Sequence, residues 1–97
     1  MNSLSFSWDN RKNRANQKKH GVSFEEAQTV FFNENAIEFF DPDHSEDEDR
    51  FLMLGLSFRL RILVVSYCLL ENNSEIRIIS ARKATKKEQN LYTRRKK

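Results

Sequence analysis

The stretch that decides the fold is Glu75-Ile-Arg-Ile-Ile-Ser-Ala-Arg-Lys-Ala-Thr-Lys-Lys-Glu88. Its first part, Glu75–Lys83, predicts a strand, because isoleucines supply β-branched bulk and neither Gly nor Pro interrupts it. Its end predicts the start of a helix, because Thr85-x-x-Glu88 matches a capping box. Charged side chains are set irregularly among the isoleucines. Two interpretations fit: an edge strand whose cations reach solvent, or a cationic floor that holds a phosphate.

The composition indicates one small domain that spans residues 1–97, with 38% hydrophobic residues. Two Gly and one Pro argue against a turn-rich β-barrel and favour mixed α and β structure. The single cysteine, Cys68, lies in an apolar run, which predicts a buried thiol and fits a reducing compartment. The N-terminus lacks the features of a secretory signal, and no apolar run approaches the roughly 18 residues of a membrane span. We therefore expect a cytoplasmic protein without membrane contact.

The net charge of +3 is distributed unevenly. Five Lys/Arg and no acid lie between Arg11 and Lys19, and nine Lys/Arg against one acid follow Glu75. Six acids and no Lys/Arg lie between Asp41 and Asp49. Clustered cations imply a polyanionic partner more strongly than the net charge does. The acidic loop indicates shielding of that site, or contact with a second, basic partner.

Periodicity and capping signals place the other elements. We predict strands at 4–8, 36–40, 51–58, 61–70 and 75–83, and helices at 10–20, 23–31 and from 85 onward. Asn72-Asn73 predicts a two-residue hairpin turn, since Asn tolerates positive φ. The order β-α-α-β-β-β-β-α predicts an α+β fold, with a twisted antiparallel sheet and helices packed mainly on one face. The basic tail 93–97 is expected to fray.

Two features of this pattern need an explanation. The first helix is polar on nearly every face, so it must dock through Trp8 and Ala15 or have a role of its own. The chain also has more phenylalanines than so small a domain readily hides. We predict that some of them lie at a partner interface, with ordinary core packing as the alternative. The candidates are Phe31, Phe32, Phe39 and Phe40.

Most chemistries are excluded by what the chain lacks. His20 and His44 are far apart and the acidic loop lacks the ligand spacing of a calcium hand, so we predict no metal and no cofactor. No glycine-rich loop is present to hold a nucleoside triphosphate. RNA cleavage without a metal requires only a base, cations and an acid. A base takes the proton of a ribose 2′-hydroxyl, cations stabilise the phosphoryl oxygens, and an acid protonates the leaving 5′-oxygen.

Guanidinium groups suit that task, because they grip a phosphate with two hydrogen bonds. Strand periodicity places Glu75 and Arg77 on one face and Arg82 on the other. A two-residue turn before Glu75 puts Arg61 on the Arg82 face, and a one-residue slip puts it with Arg77 instead. Each arginine has a surface salt bridge as its alternative role, and Glu75 has pairing with Arg77 as an alternative to acting as a base.

An ordered set of motifs resembles the BrnT family of toxins over about Phe6 to Tyr92. The motifs are Phe6-Ser-Trp8-Asp9, Lys12 with Asn16, Lys19-His20-Gly21-Val22-Ser23-Phe24, Asp43-His44-Ser45 with Arg50, Gly55-x-Ser57, Arg61, Arg77-Ile-Ile-Ser-Ala-Arg82-Lys-Ala-Thr85, Glu88 and Tyr92. The chain departs from this family at Phe58-Arg59-Leu60, where the turn before Arg61 usually carries Gly.

The resemblance implies the toxin of a type II toxin–antitoxin pair, with a RelE-like ribonuclease fold and metal-independent RNA cleavage that arrests translation. It also implies a BrnA-type antitoxin, which carries the DNA-binding part, and a higher-order toxin–antitoxin assembly. By the family pattern, the catalytic residues are Arg61, Glu75, Arg77 and Arg82. An attenuated toxin, which binds nucleic acid or the antitoxin without cleaving RNA, is the alternative.

Further residues are expected to bind RNA, namely Lys19, His20, Lys83, Lys86 and Tyr92. Two of them have alternative roles. His20 precedes the turn glycine and is placed to interact with the C-terminal carbonyls of its own helix. Tyr92 is either a surface for stacking a base or part of the core.

Overall fold

A five-stranded sheet in the order β1-β5-β4-β3-β2 organises the part of the chain that the structure describes. The computed structural model describes residues 4–44, 48–70, 72 and 74–96. The elements are β1 (Ser5–Ser7), α1 (Asn10–His20), α2 (Phe24–Thr29), β2 (Ile37–Asp41), β3 (Arg50–Leu56), β4 (Ile62–Leu70), β5 (Glu75–Lys83) and α3 (Lys86–Lys96). The predicted α+β fold and element order are confirmed. The middle of the predicted acidic loop, residues 45–47, lies outside the described residues.

Strands β2 to β5 pair antiparallel with their neighbours, as predicted, whereas β1 pairs parallel with β5. The parallel pair joins Ser5 to Glu75 and Ser7 to Arg77. Parallel neighbours need a long crossover connection, and here most of the chain lies between the two strands. The sheet is therefore mixed at this edge. None of the described helices combines the length and apolar character needed to cross a membrane.

A β-bulge in β5 changes which side chains share a face. Tyr67 pairs with Ile78 and Ser66 pairs with Ser80, so Ile79 is an extra residue in β5. The alternation of side chains shifts by one position after the bulge. The prediction that side chains alternate strictly along Glu75–Lys83, with Arg82 on the face opposite Glu75 and Arg77, was therefore wrong.

The turn between β4 and β5 also differs from the prediction. Leu70 pairs with Glu75, so the connection comprises residues 71–74 and not a two-residue turn. Asn72 has the expected positive φ, at 55°. Asn73 lies outside the described residues. Together, the longer turn and the bulge set the register of the whole of β5.

The main core lies between the sheet and the pair α1 and α2. It contains Val22, Phe24, Ala27, Val30, Leu63, Val65, Tyr67, Ile76, Ile78 and Ala81. Helix α3 packs on the opposite face, but at one end, where Tyr92 and Ala84 contact Leu54 and Val64. Helices thus lie mainly on one face, as predicted. Helix α3 extends to Lys96, Lys97 lies outside the described residues, and fraying of residues 93–97 stays a prediction.

Helix α1 is attached to the sheet by a buried asparagine. The Asn16 side-chain amide donates to the carbonyls of Ala81 and Val22, both at 2.8 Å, and its oxygen accepts from the Ala81 N–H at 3.1 Å. One amide side chain therefore satisfies both backbone groups of Ala81, as a neighbouring strand would. Burial of a polar side chain is tolerated here because its hydrogen bonds are made.

A second asparagine joins α1 to α2. The buried Asn13 donates to Glu25 at 2.9 Å and accepts from the Phe24 N–H at 2.9 Å. Trp8 packs edge-on against Phe24, as its predicted docking role requires. Ala15 is exposed, so the prediction that α1 docks through it was wrong. Polar contacts replace the apolar stripe that a surface helix normally buries.

Both predicted capping boxes cap their helices, but in different ways. Thr85 and Glu88 cap each other reciprocally, with the Thr85 N–H donating to Glu88 at 2.8 Å and the Glu88 N–H donating to the Thr85 hydroxyl at 3.2 Å. Ser23 accepts from the Glu26 N–H at 3.0 Å. The Glu26 carboxylate does not complete the box, because it is bound elsewhere.

The turn from β3 to β4 holds a bulky residue in a left-handed conformation. Leu60 has φ 62°, and its N–H donates to the Ser57 carbonyl at 2.9 Å. Its side chain is 78% exposed, so little burial compensates for the strain. A non-glycine residue in this region costs about 1–2 kcal/mol.

We expect the substitution Leu60→Gly to raise the free energy of unfolding by up to about 1 kcal/mol, because Gly removes the strain at some cost in chain entropy. Urea denaturation measures this change. Leu60→Ala is the matched control: it also truncates the exposed side chain but keeps the Cβ atom that causes the strain. Equal stability of the two variants would contradict the explanation.

Candidate functional site

Three arginines lie on the face of the sheet that α3 covers in part. Arg50 is opposite Cys68, and Cys68 is opposite Arg77, so one row of side chains crosses β3, β4 and β5. The two arginines are two strands apart, which is roughly 10 Å. Cys68 between them is buried, as predicted, and burial raises the pKa of its thiol. We call this surface the arginine face and define it by Arg50, Ser66, Cys68, Arg77, Ser80 and Arg82.

A shallow depression lies on the arginine face. It is lined by Asp41, Arg50, Leu52, Ser66, Ile79, Ser80 and Arg82. Ser66 and Ser80 are directly opposite each other in the register, and hydroxyl groups are common phosphate donors. Two guanidinium groups and two hydroxyls in this lining suit an anion, and they outnumber its one carboxylate, Asp41.

The two arginines on β5 differ in their bonding. Arg82 makes a bidentate pair with Glu88, with nitrogen–oxygen distances of 2.8 and 3.0 Å. Hydrogen bonds from Arg82 lower the pKa of Glu88 to about 2. The pair fixes the orientation of Arg82 and offsets part of its charge. Arg77 is exposed, and its side chain has no hydrogen bond or ion pair within the described part of the chain.

Glu75 lies on the same face, two residues before Arg77. Its carboxylate accepts a hydrogen bond from the Ser7 hydroxyl at 2.6 Å, and the side chain is half-buried. The described contacts contain no ion pair between Glu75 and Arg77. Glu75 is therefore held by β1 and is not neutralised by its neighbour.

Arg61 lies on the other side of the sheet. Its Nε donates to Glu26 at 2.9 Å, and its Nη2 bonds the second Glu26 oxygen and the Gly21 carbonyl, the latter at 3.0 Å. Ser57 donates to the same carboxylate at 2.6 Å. The structure therefore brings together three of the four residues expected to be catalytic, Glu75, Arg77 and Arg82, and separates Arg61 from them.

The Glu26 carboxylate is 2% exposed. Burial alone raises its pKa, but the hydrogen bonds from Arg61 and Ser57 outweigh burial, and the pKa of Glu26 is lowered overall. The pair joins α2 to the turn between β3 and β4. A buried carboxylate that has lost its partner is strongly destabilising, so this contact has a structural role independent of any reaction.

A second concave surface lies between α1 and β5. Lys12, Ala15, Asn16, Lys19 and His20 from α1 line it, together with Ile79 and Ser80 from β5. We call it the α1 groove. Lys12 and Lys19 are exposed, and His20 is half-buried. The α1 groove and the depression on the arginine face share Ile79 and Ser80, so the two surfaces meet at the β-bulge.

The other residues expected to bind RNA are dispersed. Lys83 is exposed on the side of the sheet that faces α1, because it pairs with Leu63, and Lys86 is exposed at the start of α3. Tyr92 is 3% exposed, and its hydroxyl donates to Asn33 at 2.9 Å. The expectation that Tyr92 stacks on a base was wrong, because its ring is part of the core.

Sequence reasoning missed two basic residues of these surfaces, Arg50 and Lys12. Arg50 ends the acidic loop, and its position beside Arg77 follows from the pairing of β3 with β4, which the sequence alone does not specify. Lys12 belongs to a motif but was not distinguished from the other cations of its helix. A helical wheel offers a signal, since residues 12, 15, 16 and 19 share one side of α1.

Comparisons with known proteins agree on one family. A family model described as "Ribonuclease toxin, BrnT, of type II toxin-antitoxin system" matches residues 8–88. The crystal structure of the Brucella abortus ribonuclease toxin BrnT is similar to this structure with a TM-score of 0.65, at 23% identity, over 87% of this chain and 100% of that chain. At this identity the structural match is evidence for the fold. No curated protein matches the chain at a significant level.

We expect Arg61→Ala to lower the free energy of unfolding by about 3 kcal/mol or more near neutral pH, because it leaves the Glu26 carboxylate buried without its guanidinium partner. Glu26→Ala should be similarly destabilising. The free energy of unfolding of the double variant should fall by less than the sum of the two single losses, since neither charged group then remains without its partner. Urea denaturation of all four proteins measures this coupling, and strict additivity would contradict it.

The same pair predicts how stability depends on pH. The pKa of Glu26 is lowered in the folded chain. Its contribution is therefore complete above the unfolded pKa and is lost as pH falls through the folded value. In Arg61→Ala, burial makes the charged carboxylate unfavourable, so acid relieves part of the loss. We expect the stability difference between wild type and variant to shrink from about pH 7 to about pH 4. A constant difference would contradict this assignment.

Proposed function

This chain belongs to the BrnT family, the ribonuclease toxins of type II toxin–antitoxin systems, and from this premise we propose that it cleaves RNA without a metal ion at the arginine face. Membership implies an RNA substrate and an antitoxin partner. One observation supports the choice of site above the others. The bulge at Ile79 gives Glu75, Arg77 and Arg82 a common face, which Arg50 shares. We also propose that it acts in the cytoplasm, which the buried thiol fits.

In the proposed reaction the 2′-hydroxyl of one nucleotide attacks the adjacent phosphorus. The bond from O2′ to phosphorus forms, and the bond from phosphorus to the leaving O5′ breaks. Glu75 accepts the proton of the 2′-hydroxyl, and solvent supplies a proton to O5′. The products are a 2′,3′-cyclic phosphate and a free 5′-hydroxyl. No redox change occurs, and the charges balance without a metal ion.

Arg77 and Arg50 are the proposed electrophilic groups. Charge accumulates on the phosphoryl oxygens as the new bond forms, and guanidinium groups beside them stabilise that charge. Arg82 has two donors committed to Glu88, so its proposed role is to orient the depression and add positive potential. For Arg61 we propose an indirect role, through the turn that it holds with Glu26.

We expect Arg77→Ala to reduce the rate of RNA cleavage by about 10²–10³-fold, the usual cost of removing one charge-stabilising donor. Glu75→Gln keeps a group that can accept from Ser7 but removes the base, and should reduce the rate by at least about 10²-fold. The assay uses purified protein, a labelled RNA and excess chelator. Cleavage products are tested for a 2′,3′-cyclic phosphate terminus.

Arg59→Ala is the matched control, since it removes an exposed arginine from the turn between β3 and β4. Its cleavage rate should equal that of wild type. Wild-type rates in Arg77→Ala and Glu75→Gln would refute the assigned residues. Binding of RNA by wild type without any cyclic-phosphate product would support the alternative, a non-catalytic nucleic-acid-binding or antitoxin-interaction protein.

For the antitoxin, we propose a BrnA-type protein that covers an apolar groove beside the arginine face. The groove is lined by Phe39, Leu52, Leu54, Val64, Glu88 and Leu91. It shares Leu52 with the depression, and the ion pair of Glu88 with Arg82 spans the boundary. An occupant with apolar anchors and an adjacent carboxylate would complement both parts and exclude RNA. A higher-order assembly of toxin and antitoxin stays a prediction.

The exposure of phenylalanine side chains supports the choice of this groove as the antitoxin-binding surface. Phe39 is 38% exposed, Phe40 52% and Phe32 71%, whereas Phe31 is half-buried against Tyr67. Three of the four phenylalanines are therefore exposed, and their placement at a partner interface stays a prediction. Of the three exposed rings, Phe39 lines the groove.

We expect Phe39→Ser to weaken binding of the purified cognate antitoxin by about thirtyfold, the loss typical of a central apolar anchor. Isothermal titration calorimetry measures the affinity. Phe32→Ser is the control, because Phe32 is more exposed but lies away from the groove. Equal weakening by both substitutions, or none by Phe39→Ser, would place the antitoxin elsewhere.

A further inference from the structure

We propose that the α1 groove is a binding subsite for the single-stranded RNA that flanks the cleaved bond, continuous with the arginine face across the β-bulge. The inference rests on the proposed function for its ligand. It adds a path for the substrate and a preference for single strands, neither of which follows from the catalytic assignment. The residues proposed to contact flanking phosphates are Lys12 and Lys19.

The first argument is continuity. Ile79 and Ser80 line both the depression on the arginine face and the α1 groove. They are the bulged residue and its neighbour in β5, where the strand has lost regular pairing. Strand β1 pairs with β5 at residues 75–77, before the bulge. Nothing in the described sheet therefore separates the two surfaces at this point.

The second argument is charge. Lys12 and Lys19 are seven residues apart and lie on the same side of α1, roughly 10 Å from each other along the helix axis. Both are exposed, and the described contacts include no ion pair for either. Two cations at this spacing in a groove are suited to successive sites along a phosphate backbone.

The chemistry of the groove favours RNA over a protein partner. Among the described residues, its apolar lining consists of Ala15 and Ile79 only, and no large aliphatic or aromatic side chain contributes to it apart from the ring of His20 and the side chain of Ile79. Asn16 is committed to Ala81 and does not offer a free amide. What the surface presents to a ligand is positive charge, with His20 as an additional polar ring. Charge without an apolar anchor is typical of contacts to phosphate and not of a tight protein interface.

The path also distinguishes single strands from duplexes. A ligand that occupies both surfaces must pass over the edge of β5, because the α1 groove is bounded by α1 on one side and by that edge on the other. Single-stranded RNA can bend at each nucleotide. A duplex is stiff over a length of about 50 nm, as measured for DNA, and cannot follow a path that turns over one small domain.

The test measures binding of a fluorescent single-stranded 2′-O-methyl RNA twelve nucleotides long, by anisotropy at several salt concentrations. This probe lacks the nucleophilic hydroxyl, so the result does not depend on catalysis. We expect K12A/K19A to weaken binding about tenfold and to flatten the slope of log affinity against log salt by about 1.4, the value for two phosphate contacts on a single strand. The same sequence as a duplex should bind wild type at least about tenfold more weakly.

The matched control is R14A/K18A, which removes the same charge from the same helix at exposed positions that do not line the groove. It should change affinity by less than about twofold. Equal losses of RNA affinity in the two variants would show that only net charge matters, and would overturn the proposed subsite. Equal affinity for duplex and single strand would overturn the path. Thermal melting of both variants checks folding, and K12Q/K19Q replaces K12A/K19A if the latter melts at a lower temperature.

Discussion

The hydrogen bonds between the Asn16 side chain and Ala81 are the contact on which the rest of the structure depends. Strand β1 covers the outer edge of β5 along residues 75–77. Beyond that point the Asn16 side-chain amide makes the hydrogen bonds to Ala81 that a neighbouring strand would make. Leaving buried backbone groups of Ala81 unpaired would cost a few kcal/mol in total, since each unsatisfied group costs about 1–3 kcal/mol. The contact fixes α1 beside β5, and with it the groove, the turn at Gly21 and the entry to α2.

Much of the fold could be predicted from the sequence because its signals are local. The element order, the bounds of β5 and the reciprocal cap of α3 all follow from periodicity and capping within a few residues. The attachment of α1 could not be predicted in the same way. Buried asparagines give the same signal as solvated ones in a polar helix, and their partners, Ala81 among them, lie far along the chain.

The candidate site was less predictable than the fold, for a related reason. Whether Arg77 and Arg82 share a face depends on one inserted residue, Ile79, and a bulge leaves no mark in composition. Whether an arginine is available depends on the carboxylate nearest to it in space. Arg61 and Arg82 have such partners in Glu26 and Glu88, whereas Arg77 has none among the described residues. The family resemblance assigns the same catalytic role to these arginines, whereas the structure shows which of them are paired with a carboxylate.

The hydrogen bond between Ser7 and Glu75 has a consequence for the timing of synthesis. It joins residues 68 positions apart, through a pair of strands that are the first and last of the sheet to leave the ribosome. A nascent chain that stops before β5 contains Arg50 but lacks Glu75, Arg77 and Arg82. Contacts at such long range also form late in folding. The proposed site is thus incomplete until translation of the chain is nearly finished.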